Sequence, residues 1–157
     1  MKISILLPYK ENFSPIYPGA VSLFVKDTAN ISKYKKDIIV YGNTNYKKIF
    51  PVKYYNISLS NFKFQSKSKQ YVEKFIKIEK NNPSDLIEVH NRPNYLSDIV
   101  KSLGKKNLVL YFHNDPLTMT GSKSINERKF LLKICYKIIF NSNWSKKRFL
   151  EGMHDKC

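Results

Sequence analysis

The sequence predicts an α/β protein: a doubly wound, Rossmann-like parallel sheet of about six strands with helices on both faces. Short, continuous apolar runs alternate with segments whose apolar residues recur every three or four positions, the mark of strands alternating with amphipathic helices. The strand-like runs are apolar throughout instead of alternating in and out, which belongs to a parallel sheet covered on both sides. Pro, Gly and Asn fall between the runs and form no linker-like cluster, and no repeat period is present.

Taken in order, Ile3 to Leu7 reads as a buried first strand. Ala20 to Ile31 then sets Val21, Phe24, Val25 and Thr28 at helical spacing just after Gly19. Asp37 to Tyr41 is a second strand closed by Gly42-Asn43, and Val52 to Ile57 a weaker third after Pro51. Lys67 to Glu79 carries Tyr71, Val72, Phe75 and Ile76 on one helical face, ended by Asn82-Pro83-Ser84. Leu86 to Val89 is the fourth strand. It exits through His90-Asn91-Arg92-Pro93, with Pro93 placed as the first residue of a helix that closes at Gly104. Leu108 to Phe112 is the fifth strand and His113-Asn114-Asp115-Pro116 its exit. Ile125 to Cys135 is a helix, Lys137 to Phe140 a sixth strand, and Ser142 or Asn143 caps a last short helix through Leu150. In the common strand order 3-2-1-4-5-6, the first, fourth and fifth strands lie side by side, and their C-terminal loops meet where ligands bind.

The length of 157 residues fits one domain with a real core. No apolar run approaches the roughly 20 residues that span a bilayer. The N-terminus lacks the apolar core and cleavage site of a signal peptide, so a cytoplasmic protein is expected. The two cysteines, Cys135 and Cys157, show neither pairing nor metal-type spacing and read as a core thiol and a tail thiol. The formal charge of +16, from 28 basic and 12 acidic residues, favours polyanions, although a general Lys, Asn and Ile bias accounts for part of it.

Three polar segments follow apolar strands at the expected ligand-facing end: Pro8 to Gly19, His90 to Pro93, and His113 to Pro116. Any one alone is explained by turn formation; three on adjacent strands point to a site. Gly19 opens the first helix, where a missing side chain lets an anion approach free N–H groups, or where it serves only as a turn glycine. His113 can hydrogen-bond a sugar hydroxyl or a backbone carbonyl. Arg92, one of three arginines among many lysines, suits phosphate or carboxylate, or a surface ion pair. Neither G-x-G-x-x-G nor a Walker A sequence occurs, so dinucleotide and P-loop enzymes are poor candidates. There is no G-x-S-x-G elbow, and His90, His113 and His154 lack a paired-ligand pattern for metal.

In their order and spacing these segments resemble the N-terminal domain of family 4 glycosyltransferases, which have the GT-B fold. The resemblance covers nearly the whole chain. It rests on Ile3-Ser4-Ile5-Leu6-Leu7-Pro8, Gly19-Ala20-Val21, His90-Asn91-Arg92-Pro93, Leu110-Tyr111-Phe112-His113-Asn114, and above all Ile139 through Lys147. It implies an acceptor-side domain whose nucleotide-sugar-binding C-terminal partner domain is absent from this sequence. By position it implies Gly19 near the donor phosphates, His113 beside the transferring sugar as catalytic residue, and Asn91, Arg92, Asn114 and Asp115 in the acceptor-side cleft. It further implies a nucleotide-sugar as donor substrate, a glycan or lipid-linked acceptor, retention of anomeric configuration, and neither metal nor other cofactor. Two departures stand out: one glycine where the family often has a pair, and no glutamate-bearing donor motif.

Two other classes stay open. The first is a basic binding module for anionic membrane, at the inner face, or for nucleic acid, against which the scattered lysines and missing recognition motifs weigh. The second is a degenerate fragment without activity.

Overall fold

Every side chain of Ile3–Leu6 (β1) is buried, as a central strand covered on both faces requires. The structure is a computed structural model that describes residues 1–61, 64–104 and 107–153; His154 and Cys157 lie outside the described residues. After β1 come α1 (Ala20–Ile31), β2 (Ile38–Gly42), β3 (Tyr54–Asn56), α2 (Lys67–Asn81) and β4 (Leu86–His90). Then follow α3 (Tyr95–Leu103), β5 (Leu108–Phe112), α4 (Ile125–Ile134), β6 (Lys137–Phe140) and α5 (Asn143–Leu150). The described strands form one six-stranded sheet in the order β3-β2-β1-β4-β5-β6, and each neighbouring pair is parallel. The expected doubly wound order is therefore the observed one.

The two faces are covered unequally. Val21, Val25 and Ala29 of α1 pack on Ile3, Ile5 and Leu7 and on Ile38 and Val40, with Phe13 and Phe50 filling the margin. On the other face Tyr71 and Phe75 of α2, Leu96 and Ile99 of α3, Leu131 of α4 and Phe149 of α5 cover Leu6, Val89, Leu110 and Phe112. Glu79 and Tyr71 are buried polar groups with partners. Glu79, buried on α2, receives hydrogen bonds from Ser4 of β1 and from both the amide (3.0 Å) and hydroxyl (2.8 Å) of Ser84. The Tyr71 hydroxyl lies 2.8 Å from the Leu7 carbonyl and 3.2 Å from that of Tyr41, tying α2 to the ends of β1 and β2.

Element ends depart locally from the sequence reading. β2 starts at Ile38 because Lys35–Asp37 form a 3-10 turn, and Asp37 faces the N-terminal amine at 3.5 Å. β3 is shorter than Val52 to Ile57, since the Val52 amide turns back to the Phe50 carbonyl. Pro93 lies in a turn two residues ahead of α3, with the Tyr95 amide on the Arg92 carbonyl at 3.0 Å. Helix starts follow expectation more closely. Ser142 caps α5 by accepting from the Ser145 amide, and Ser124 with Glu127 forms a reciprocal capping box on α4. Gly121, at φ 94°, is a position only glycine fits: a Cβ there would stand 2.6 Å from the Asn94 amide nitrogen. That contact presses the loop after β5 against the loop after β4.

Candidate functional site

The exits of β4 and β5 hold a line of three titratable side chains. Period-two alternation puts Glu88 and His90 on the same face of β4, and His90 pairs in register with Tyr111 of β5. The His90 ring is fully buried, stacked at 4.6 Å and 5° on the Tyr111 ring. Its Nε2 is 2.8 Å from Glu88 Oε1, and its Nδ1 is 2.8 Å from His113 Nε2. These contacts set the tautomers. The Glu88 carboxylate can only accept, so His90 carries its proton on Nε2 and offers Nδ1 as an acceptor. His113 must then donate from Nε2, which leaves its Nδ1 lone pair free. His113 Nδ1 makes no hydrogen bond among the described residues.

Burial, reinforced by the neighbouring His90, lowers the His113 pKa to about 4. At neutral pH this ring is an uncharged acceptor. Phe24 of α1 stands edge-on to it at 5.0 Å and shields the pair from one side. Burial and the Glu88 carboxylate push the Tyr111 hydroxyl up to about 12.

The His113 backbone is clamped on both sides. Asn91, buried and at φ 52°, a conformation asparagine tolerates better than most residues, accepts the His113 amide on Oδ1 at 2.7 Å. Asn141, in the segment after β6, donates to the His113 carbonyl at 2.7 Å and is itself held by the Ser145 hydroxyl of α5 at 2.8 Å. The exits of β4, β5 and β6 therefore converge on one residue.

Of the sequence-predicted residues, Asn91 and His113 are in direct contact, and Asn91 spends its side chain holding His113. Asp115 accepts from the Leu117 amide at 3.0 Å and pairs with Arg148 of α5 at 3.2 Å, so its carboxylate also serves the loop. Asn114 is exposed on the rim. Arg92 lies at the same end of the sheet in a depression of about 280 Å³ with Ser68, Asn94 and Thr118 to Thr120. It donates to the Asn91 carbonyl at 2.7 Å and has no carboxylate partner among the described residues. Gly19 caps α1 with extended geometry, and the Glu11 carboxylate fills the space a side chain would take. An added Cβ would be 1.8 Å from Glu11 Oε1, which accepts the Ser22 amide at 2.9 Å. Glu11 thus supplies the negative charge that the N-terminus of α1 attracts.

Glu88, His90 as a partner of His113, Glu11 and Asn141 were not singled out from the sequence. The signal for the first two was a carboxylate inside an otherwise apolar strand, two residues before a histidine. Among the described residues no group of three His, Cys, Asp or Glu side chains is arranged to hold a metal ion. Cys135, at the end of α4, is partly buried and its thiol is pushed up to about 12 by burial, which suits a core thiol.

Comparison with models of known families and with curated protein sequences finds no match. Among solved structures, the fold is similar to that of a lipopolysaccharide outer core galactosyltransferase, WaaB, in its apo form. The TM-score is 0.63 over 96% of this chain. This chain has a glycosyltransferase-like fold. The chain spans 42% of the galactosyltransferase's length. At 15% identity the likeness is one of fold, and family 4 motifs, substrates and partners are not carried by it.

Proposed function

We propose that this chain is the acceptor-side half of a glycosyltransferase that moves a sugar from a nucleotide-sugar to a glycan or lipid-linked acceptor with retention of configuration. His113 is its catalytic residue. The observation that carries the reading is the Glu88, His90 and His113 line at the strand exits of a GT-B-like half. A neutral imidazole, fixed in tautomer by a carboxylate two hydrogen bonds away and in backbone position by Asn91 and Asn141, keeps one lone pair unengaged among the described residues. With a pKa near 4 it orients a sugar hydroxyl by accepting its hydrogen bond and does not store a proton at neutral pH.

A second domain carries the nucleotide-sugar in this reading. The β6 edge supports it: Ile138, Ile139 and Phe140 are only partly covered, and Tyr136 and Trp144 beside them are 74% and 59% exposed. Donor phosphate reaching the N-terminus of α1 near Gly19 must displace the Glu11 carboxylate. On the acceptor side Arg92 and Asn114 make the contacts, because Asn91 and Asp115 are engaged within the chain.

The test is donor turnover by this chain combined with a nucleotide-sugar-binding GT-B half, with and without His113→Ala. Turnover falls by about 100-fold or more in the variant, while thermal unfolding shifts little. The chain alone transfers nothing measurable, since positioning donor against acceptor supplies much of the rate. Undiminished turnover in the variant removes His113 from the reaction, and full activity from the 157 residues alone removes the half-enzyme reading.

A further inference from the structure

We infer that the pocket between the exits of β1 and β2 binds an anionic, hydroxyl-bearing group of the acceptor, a phosphorylated or acidic sugar, with Lys10 and Lys67 holding the charge. The inference rests on the acceptor-side reading above and names the acceptor's chemical class.

The pocket has a volume of about 370 Å³, the size of small-ligand sites. Tyr9, Asn12, Asn43 and Tyr46 contribute to its wall together with the two lysines, and none of its lining residues is acidic. Its polar walls are built in advance. Asn12 donates to the Ile16 carbonyl at 2.7 Å and receives the Thr44 hydroxyl; Asn43 donates to the Ile57 carbonyl at 2.8 Å; the Thr44 amide donates to Asn56 at 2.9 Å. Behind it the Tyr9 amide is fixed on the Tyr95 hydroxyl at 3.1 Å. The lysines are the exception. Among the described residues neither ammonium group makes a hydrogen bond or an ion pair, and Lys10 Nζ rests 5.7 Å from the Tyr9 ring centroid. These bonds hold the wall in shape, while the Tyr9 and Tyr46 hydroxyls, the Asn45 amide and two ammonium groups line the same pocket and match a ligand that brings negative charge and hydroxyls together.

Lys10 also stands where the backbone disfavours it. Pro8 to Glu11 form a turn closed by the Glu11 amide on the Pro8 carbonyl at 2.9 Å, with Lys10 at φ 71°, a conformation that suits glycine. A lysine there costs about 1 kcal/mol in strain, and the charge it brings to the pocket gives that cost a purpose. The pocket lies at the same end of the sheet as His113, and β4 alone separates β1 from β5, so its β1 wall is roughly 10 Å from the His113 strand. A short acceptor can reach from one to the other. The Arg92 depression is the weaker anion site, because its guanidinium is already committed to the Asn91 carbonyl.

The experiment is a titration of the isotope-labelled chain, followed by amide shifts, with glucose 6-phosphate, glucose and inorganic phosphate, and with phosphatidylglycerol vesicles as a separate arm. Glucose 6-phosphate should move the amides of Tyr9 to Asn12 and Asn43 to Tyr46 saturably, about tenfold more tightly than glucose or phosphate alone. Lys10→Gly should weaken that binding by about tenfold without lowering Tm, because it removes the charge and relieves the positive φ. Lys67→Ala should weaken it independently. Vesicles that move the same amides in a Lys10-dependent way also support the inference, with a lipid headgroup as the source of the phosphate. Equal binding of glucose and glucose 6-phosphate, phosphate alone binding as well as the phosphosugar, or wild-type binding by Lys10→Gly overturns it. Transfer failing while this titration succeeds counts against the proposed function only. Transfer to charged acceptors that is unaffected by Lys10→Gly counts against this inference only.

Discussion

His113 is the residue where environment decides chemistry. Its ordinary value of 6.5 falls to about 4 in the folded chain, through burial first and the His90 ring second. The unfolded chain therefore takes up a proton at this position as pH drops through about 6.5, and the folded chain resists until about 4. The His113 contribution to stability is fully present above the upper value and is lost between the two as pH falls. Urea unfolding from pH 7 to pH 4 should show this loss, with a shallower decline in His113→Asn; identical slopes would contradict the lowered pKa. Imidazole nitrogen shifts offer a second reading of the same site. The wild type should show His113 protonated on Nε2, and Glu88→Ala should lose that preference because nothing then fixes the His90 tautomer. Glu79 makes a comparable point in the core. Glu79→Ala strands the Ser84 amide and the Ser4 hydroxyl, and should cost about 2–4 kcal/mol by chemical denaturation; a loss below the error of the measurement would mean that water replaces the carboxylate.

At the scale of elements, the alternation of strands and helices was readable because each run advertises its own period, and parallel pairing then follows from burial on both faces. Gly104 and Ser142 were readable for the same local reason. The site was readable only where it sits next to a strand end. Residues in contact across strands, such as Glu88 through His90 to His113 or Asn141 to the His113 carbonyl, depend on register, which the sequence does not state. The Gly19 turn is the sharpest case: the pattern of glycine before a helix was legible, but not that Glu11, eight positions earlier, folds back to occupy the helix end. That arrangement predicts energetic coupling. Gly19→Ala must expel the Glu11 carboxylate from its contact with the Ser22 amide, losing about 1 kcal/mol of capping beyond the poorer cap that alanine itself makes. In a Glu11→Ala background the same substitution should cost less by that amount. A double-mutant cycle giving no coupling would show that the carboxylate does not stabilise α1.

For the whole molecule the dominant quantity is the charge of +16, and the fold distributes it unevenly. Several carboxylates face inward or cap the chain's own helices: Glu79 under α2, Glu88 behind His90, Glu11 on α1 and Glu127 on α4. Lysines stay outside, and α2 shows why, since its buried stripe of Tyr71, Val72, Phe75 and Ile76 leaves Lys67, Lys69, Lys74, Lys77 and Lys80 exposed. Among the described residues no helix is long and apolar enough to cross a membrane, and exposed lysines attract an anionic bilayer at its surface. Each lysine near such a surface contributes about 1 kcal/mol at most, and the interaction decays over a screening length of about 8 Å at physiological salt and about 3 Å at 1 M. Binding to vesicles containing phosphatidylglycerol should therefore be measurable by co-sedimentation at low salt and should fall steeply as salt rises. Charge reversal on the outer face of α2, Lys74→Glu with Lys77→Glu, should reduce it further while leaving the buried stripe and the unfolding midpoint nearly unchanged. The apolar side chains exposed around β6, Tyr136 and Trp144 foremost, supply the competing mechanism. Insertion of those rings would hold the protein on vesicles at 1 M salt, where lysine contacts are screened, so retention at high salt would replace the electrostatic account and assign the contact to that edge of the sheet.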